Sequence, residues 1–153
     1  ANADTVHNRV AAGSHADLLV IEPEFDEKKS EYAKDINVEQ AREVAKFLSL
    51  TPAESNWRIV LIDSADALNI NAANAILKIL EEPPPQAILL LISHQPSLLL
   101  PTIRSRCQVV KLRPLARDIF VEAAKYLLPD AGDQKLSALA QLTGGAPGKA
   151  LDY

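Results

Sequence analysis

The chain has 153 residues and a formal net charge of −4; 48% of its residues are apolar and 24% charged. That suits one compact domain, or one plus the start of another, with no disulfide or metal needed for folding. The acidic balance excludes broad autonomous binding to nucleic acid, and the single cysteine, Cys107, excludes an internal disulfide or a cysteine-rich zinc site within the chain.

Residues 1–16 read as a loop or a frayed helix end. Leu18–Ile21 is short, apolar and β-compatible, so a buried strand is expected there. Glu22–Lys34 is charged, contains a proline and lacks apolar periodicity, which predicts an exposed loop. Asn37 with Gln40 three residues on has the form of a capping box, and Ala41, Val44, Ala45 and Leu48 make one apolar stripe behind it. Ile59–Ile62 is the second predicted strand. Asn71 is the expected cap of the next helix, which must stop near Glu82 because Pro83, Pro84 and Pro85 follow. Ala87–Ile92 and Cys107–Leu112 are the third and fourth predicted strands.

Strands alternating with helices at this spacing predict βαβ units and a mostly parallel sheet. After Pro114 only helices are expected. One carries Ile119, Phe120, Ala123, Ala124, Leu127 and Leu128 and ends at Pro129; the next is capped by Asp133 and ends at Gly144 and Gly145. Pro147 suits the first turn of a further helix. A domain boundary is placed near Pro114. No apolar run approaches the ~20 residues of a membrane helix, nothing at the start resembles a secretory signal, and a reducing cytoplasm is the expected compartment. The chain contains no methionine and is expected to begin inside a longer protein.

Arg58–Asp66 reads as a buried strand that delivers Asp63 to its carboxyl end, where open α/β sheets bind ligands. Asp63 is either a ligand for nucleotide-bound magnesium or, with Asp66, a strand-terminal cap and a solvated acid. Ser64 stands where hydrolysis needs a second carboxylate to orient water. No GxxxxGK[ST] phosphate loop occurs, and Gly144–Lys149 is not one, since it follows a helix and contains a proline. Arg106, expected on the same edge as Asp63, either points out toward a neighbour's phosphate or is an ordinary turn arginine. His94 and Lys149 are possible ligand contacts, with a bonded loop histidine and an exposed lysine as the plainer readings. Glu81 and Glu82 read as a solvated helix end, because adjacent helical residues do not share a face.

Three runs carry a resemblance: Asn71–Pro84, Ser93–Pro96 and Leu100–Cys107. Together they resemble the clamp-loader branch of the AAA+ ATPases over nearly the whole chain. The resemblance implies a P-loop NTPase-like α/β fold, a three-layer parallel sheet lacking its first strand here, over 1–113. The start of a small helical lid domain would follow over 114–153. It implies that Asp63 matches the Walker B aspartate, with Ser64 replacing the glutamate of active relatives. Ser93 and His94 fall in the sensor 1 region, and Lys149 stands where sensor 2 usually has arginine, a replacement that loses the bidentate fork. Arg106 matches the arginine finger, acting in trans on ATP and magnesium held by the adjacent subunit.

No nucleotide is expected on this fragment itself, and no intrinsic ATPase. The implied role is a non-catalytic clamp-loader subunit with gamma/tau and delta as partners, reaching the sliding clamp and primed DNA through the complex. The rivals are a gamma/tau-like ATPase whose phosphate loop lies outside the fragment, and a generic α/β interaction module. The family's sheet order, 5-1-4-3-2, places the missing strand in the interior. Either upstream residues exist, or the fragment closes the gap by rearrangement or dimerisation.

Overall fold

The computed structural model describes residues 3–26 and 30–153. The chain divides into two compact units, Ala1–Val109 and Val110–Tyr153.

In the first unit a three-stranded parallel sheet has the order β1 (Leu18–Ile21), β4 (Arg58–Ile62), β5 (Ala87–Leu91). The pairing register sets Leu18, Ile59 and Ile88 side by side, and likewise Val20, Leu61 and Leu90. Alternation along each strand then turns Ile21, Val60 and Ile62 to the other face. That face packs on α2 (Val38–Leu48) and α3 (Ile70–Glu81), around the fully buried Ile36, Val44, Val60, Ile62 and Ile76. Each such side chain contributes about 1.5–3 kcal/mol by leaving water. The opposite face is apolar too, with Val20, Ile88 and Leu90 exposed; apolarity on both faces is what a doubly covered sheet requires.

Helix α2 begins as its sequence dictates. The Asn37 side chain accepts from the backbone N–H groups of Glu39 and Gln40, and Gln40 Oε1 accepts from the Asn37 N–H at 3.0 Å. Helix α3 is capped by Asn69, not Asn71: Asn69 Oδ1 accepts from the Ala72 N–H at 2.9 Å. Asn71 is the second helical residue and so cannot be the flanking residue whose side chain caps the first turn. The helix stops at Glu81 ahead of the three prolines, as expected.

Of the two readings of the first residues, loop or helix end, the helical one holds: Ala3–Ala11 form a nine-residue helix, α1. Other expectations are corrected. Within the stretch expected to be a loop, Phe25–Asp26 (β2) and Glu31–Tyr32 (β3) pair antiparallel, with the Phe25 and Tyr32 rings edge to face at 5.1 Å; residues 27–29 lie outside the described residues. No strand forms over Cys107–Leu112. Val109, Val110 and Leu112 are 65%, 75% and 93% exposed, so these β-branched and apolar residues find no ladder to join. Strand propensity is realised only against a partner. Among the described residues, β5 pairs with β4 alone and its outer edge is unpaired. The gap is therefore not closed by rearrangement within these residues.

The second unit pairs α5 (Arg117–Leu127) with α6 (Asp133–Leu142) around Phe120, Ala124, Leu136, Leu139, Ala140 and Ala150. Gly132, not Asp133, occupies the cap position of α6; Asp133 is the first helical residue, where its charge still favours the helix N-terminus. After α6, Gly144 and Gly145 take positive φ. At Gly145, φ is +80° and a Cβ would lie 2.5 Å from the Leu115 carbonyl oxygen, so glycine is required. Pro147 opens a 3-10 turn, Pro147–Asp152.

Candidate functional site

The carboxyl ends of β4 and β5 bring Asp63, Ser64, Asp66, Ser93 and His94 together. Asp63 directly follows β4, its N–H donating to the Ile21 carbonyl at 2.8 Å. Among the described residues its carboxylate has no hydrogen-bond or ion-pair partner. A short 3-10 turn, Ala65–Ala67, carries the chain from there into α3. This turn is fastened to the start of α2 by the Ile36 N–H on the Ala67 carbonyl (2.7 Å) and the Asn69 N–H on the Ile36 carbonyl (3.1 Å).

Asp66 is the organising group. One carboxylate oxygen accepts from Ser93 Oγ at 2.5 Å; the other accepts from the backbone N–H groups of His94 and Gln95 at 2.7 and 3.1 Å, and from Ser64 Oγ at 3.2 Å. Burial would raise its pKa, but these four donors stabilise the charged form and hold the carboxyl below the usual value. Asp66 thus joins the loop after β4 to the loop after β5. The sequence alone gave it the lesser role of the two aspartates.

The arrangement does not fit the donor set of a magnesium-dependent hydrolase. Asp63 is its one uncommitted carboxylate; Ser64 supplies no second acid, and the Ser93 hydroxyl is taken by Asp66. His94 engages Asp66 through its backbone, not its ring. Lys149 belongs to the second unit, exposed on the Pro147–Asp152 turn.

Arg106 lies elsewhere. A single turn, α4 (Pro101–Arg104), is anchored by the buried Ile103, and Arg106 continues it, its N–H donating to the Ile103 carbonyl. The guanidinium donates from Nη1 to the Thr102 carbonyl at 3.0 Å and from Nη2 to Glu81 Oε1 at 2.7 Å. Both side chains remain partly in solvent, at 34% and 49% exposure, so the arginine is a surface group and not part of the core.

Its partner is the last residue of α3, whereas Asp63 and Asp66 precede the first. The 12 residues of α3, about 18 Å of helix, lie between. Because α3 links two parallel neighbours, it must run back from the carboxyl to the amino ends of the strands. The expectation that Arg106 shares Asp63's edge is therefore corrected: without a fourth strand, the chain places it toward the far end of α3. Cys107 beside it is half-buried, and burial pushes its thiol pKa up.

A second built feature escaped the sequence reading. Asp17, 2% exposed, accepts the N–H groups of Ala53, Glu54 and Ser55 at 2.7–2.8 Å, and Arg58 Nη2 lies 3.9 Å away. Arg58 stacks on Phe47, 4.6 Å from the ring centroid, and donates to the Thr51 carbonyl. These contacts seat the loop that leads into β4.

Comparison with known proteins matches residues 3–116 to the family described as DNA polymerase III, delta subunit. The chain is 45% identical over 140 residues to DNA polymerase III subunit delta' of Pseudomonas aeruginosa, covering 90% of this chain and 40% of that protein. It is 34% identical over 140 residues to the Escherichia coli subunit of the same name, covering 92% and 40%. Among solved structures it resembles a DNA polymerase III, gamma subunit-related protein from Thermotoga maritima, with a TM-score of 0.61 and 28% identity over 83% of this chain and 43% of that one. The chain thus spans about two fifths of the length of these two curated relatives.

Proposed function

The chain belongs to the delta-prime family of DNA polymerase III subunits, a clamp-loader component with an α/β AAA+ fold, and on that premise we propose that it is a non-hydrolysing subunit that completes a neighbour's ATP site with Arg106. The complete protein would assemble with gamma/tau and delta and support ATP-dependent loading of the sliding clamp onto primed DNA. Its compartment would be the cytoplasm. No helix among the described residues is long and apolar enough to cross a membrane.

The observation that carries this reading is the separation just described. An exposed guanidinium near the far end of α3 from Asp63 is badly placed to meet a phosphate held at its own sheet edge. Its exposure leaves it open to one held by another polypeptide, where a fixed cation would offset charge developing on the transferred phosphoryl group. The poor donor set around Asp63 and Ser64 points the same way: assistance given outward, with no hydrolysis in its own pocket.

The test is ATP hydrolysis by the isolated full-length protein. No turnover above buffer is expected, at any magnesium concentration. Sustained hydrolysis by the protein alone, abolished by Asp63→Asn, would favour the gamma/tau-like ATPase instead.

A further inference from the structure

We infer that Glu81 is a positioning residue that holds Arg106 as a stand-in for the terminal phosphate of a nucleoside triphosphate bound by the adjacent subunit. The inference rests on the arginine-finger reading of Arg106 and adds to it the group that holds the finger between encounters.

Arginine has five N–H donors and no acceptor, so its partners are read from what those donors meet. Two kinds of partner are present. The Thr102 carbonyl and Ser105 Oγ, at 3.0 and 3.4 Å from Nη1, belong to the same turn and set the direction in which the side chain leaves. Glu81 Oε1, 2.7 Å from Nη2, is the anion, and it comes from 25 residues away. A carboxylate oxygen and a phosphate oxygen are the same kind of anionic acceptor for a guanidinium N–H. Glu81 therefore occupies a donor that a phosphate would need.

The place of Glu81 in the helix strengthens the argument. It is the last residue of α3, where the partial negative charge of the helix end disfavours a carboxylate. Helix stability does not account for an acid there; pairing with Arg106 does. The pair is also easily exchanged. With both side chains partly solvated, such an ion pair is weak and loosens further with salt. A polyphosphate with several charges displaces it, and the released carboxylate then opposes the incoming anion. Glu81 thus keeps the guanidinium directed while unloaded and sets a small penalty on phosphate capture.

The experiment uses the clamp loader reconstituted from full-length subunits. ATP turnover and binding of a fluorescent ATP analogue are compared for wild type, Glu81→Gln, Arg106→Ala and the double variant. Glu81→Gln is expected to lower KM and the analogue's Kd about threefold, with kcat within twofold and a shallower salt dependence. In the Arg106→Ala background the same substitution should leave analogue binding unchanged. The inference is overturned if Glu81→Gln leaves KM unaltered or raises it, or tightens binding equally without the arginine. If Arg106→Ala leaves turnover intact, the finger reading itself fails and this inference goes with it; if Arg106→Ala is defective while Glu81→Gln is silent, only the role of Glu81 falls.

Discussion

Arg106→Ala in the reconstituted clamp loader is expected to cut ATP turnover at the one nucleotide site it serves by on the order of 1000-fold, the low end of what an arginine finger contributes. Assembly should survive. The side chain is a surface group, and its ion pair with Glu81 is of the exposed kind that contributes little to folding. The buried anchor of its turn is Ile103, which the substitution does not touch. Arg106→Lys should recover only part of the loss, because an ammonium keeps the charge but not the planar fork. The measurement is phosphate release stimulated by primed DNA, with the remaining nucleotide sites silenced so that one site is read. Equal turnover in wild type and variant would remove Arg106 from the chemistry.

The second large effect concerns folding. Asp17→Ala should destabilise the full-length protein by about 3 kcal/mol, as expected when one member of a buried charged network is deleted. Three backbone N–H groups lose their acceptor, and the Arg58 guanidinium loses its nearest carboxylate. The pH dependence has a definite sign. Burial alone would raise the Asp17 pKa, but the bonds from Ala53, Glu54 and Ser55 bring it from 3.8 down to about 2. A folded-state pKa below the unfolded one means that the carboxylate stabilises the protein above about pH 4 and that this is lost as pH falls toward 2. Asp66, also lowered, contributes in the same direction. Urea unfolding at pH 7 should therefore separate wild type from Asp17→Ala clearly, and the difference should shrink at pH 3 and below. A gap that stays constant across this range would contradict the assignment.

What the sequence makes legible here is local. The capping box at Asn37 and Gln40, the apolar strands at Leu18–Ile21 and Ile59–Ile62, and the stop before Pro83 are each decided by residues within a few positions of one another. The misreadings have a common cause in distance. Cys107–Leu112 has strand composition but lacks a partner strand among the described residues, and composition does not supply one. Asp17 gains its importance from a loop 36 to 38 residues away, which no periodicity announces. Glu81 looked like a solvated helix end until folding brought Arg106 to it across 25 residues.

The two aspartates after β4 make the same point in reverse. A strand pattern singles out Asp63 at the sheet edge, yet Asp66 takes four hydrogen bonds, three of which fix the neighbouring loop. Its donors Ser93, His94 and Gln95 lie a whole βα unit further along the chain.

The central claim is that the guanidinium of Arg106 leaves Glu81 for a phosphate on another polypeptide. A structure of the assembled full-length complex with magnesium, ADP and a trifluoroberyllate phosphate mimic tests it directly. Arg106 nitrogens are expected within about 3 Å of the mimic in the adjacent subunit, with the Glu81 contact broken. An Arg106 still bound to Glu81, with the neighbouring mimic met by some other cation, would contradict it.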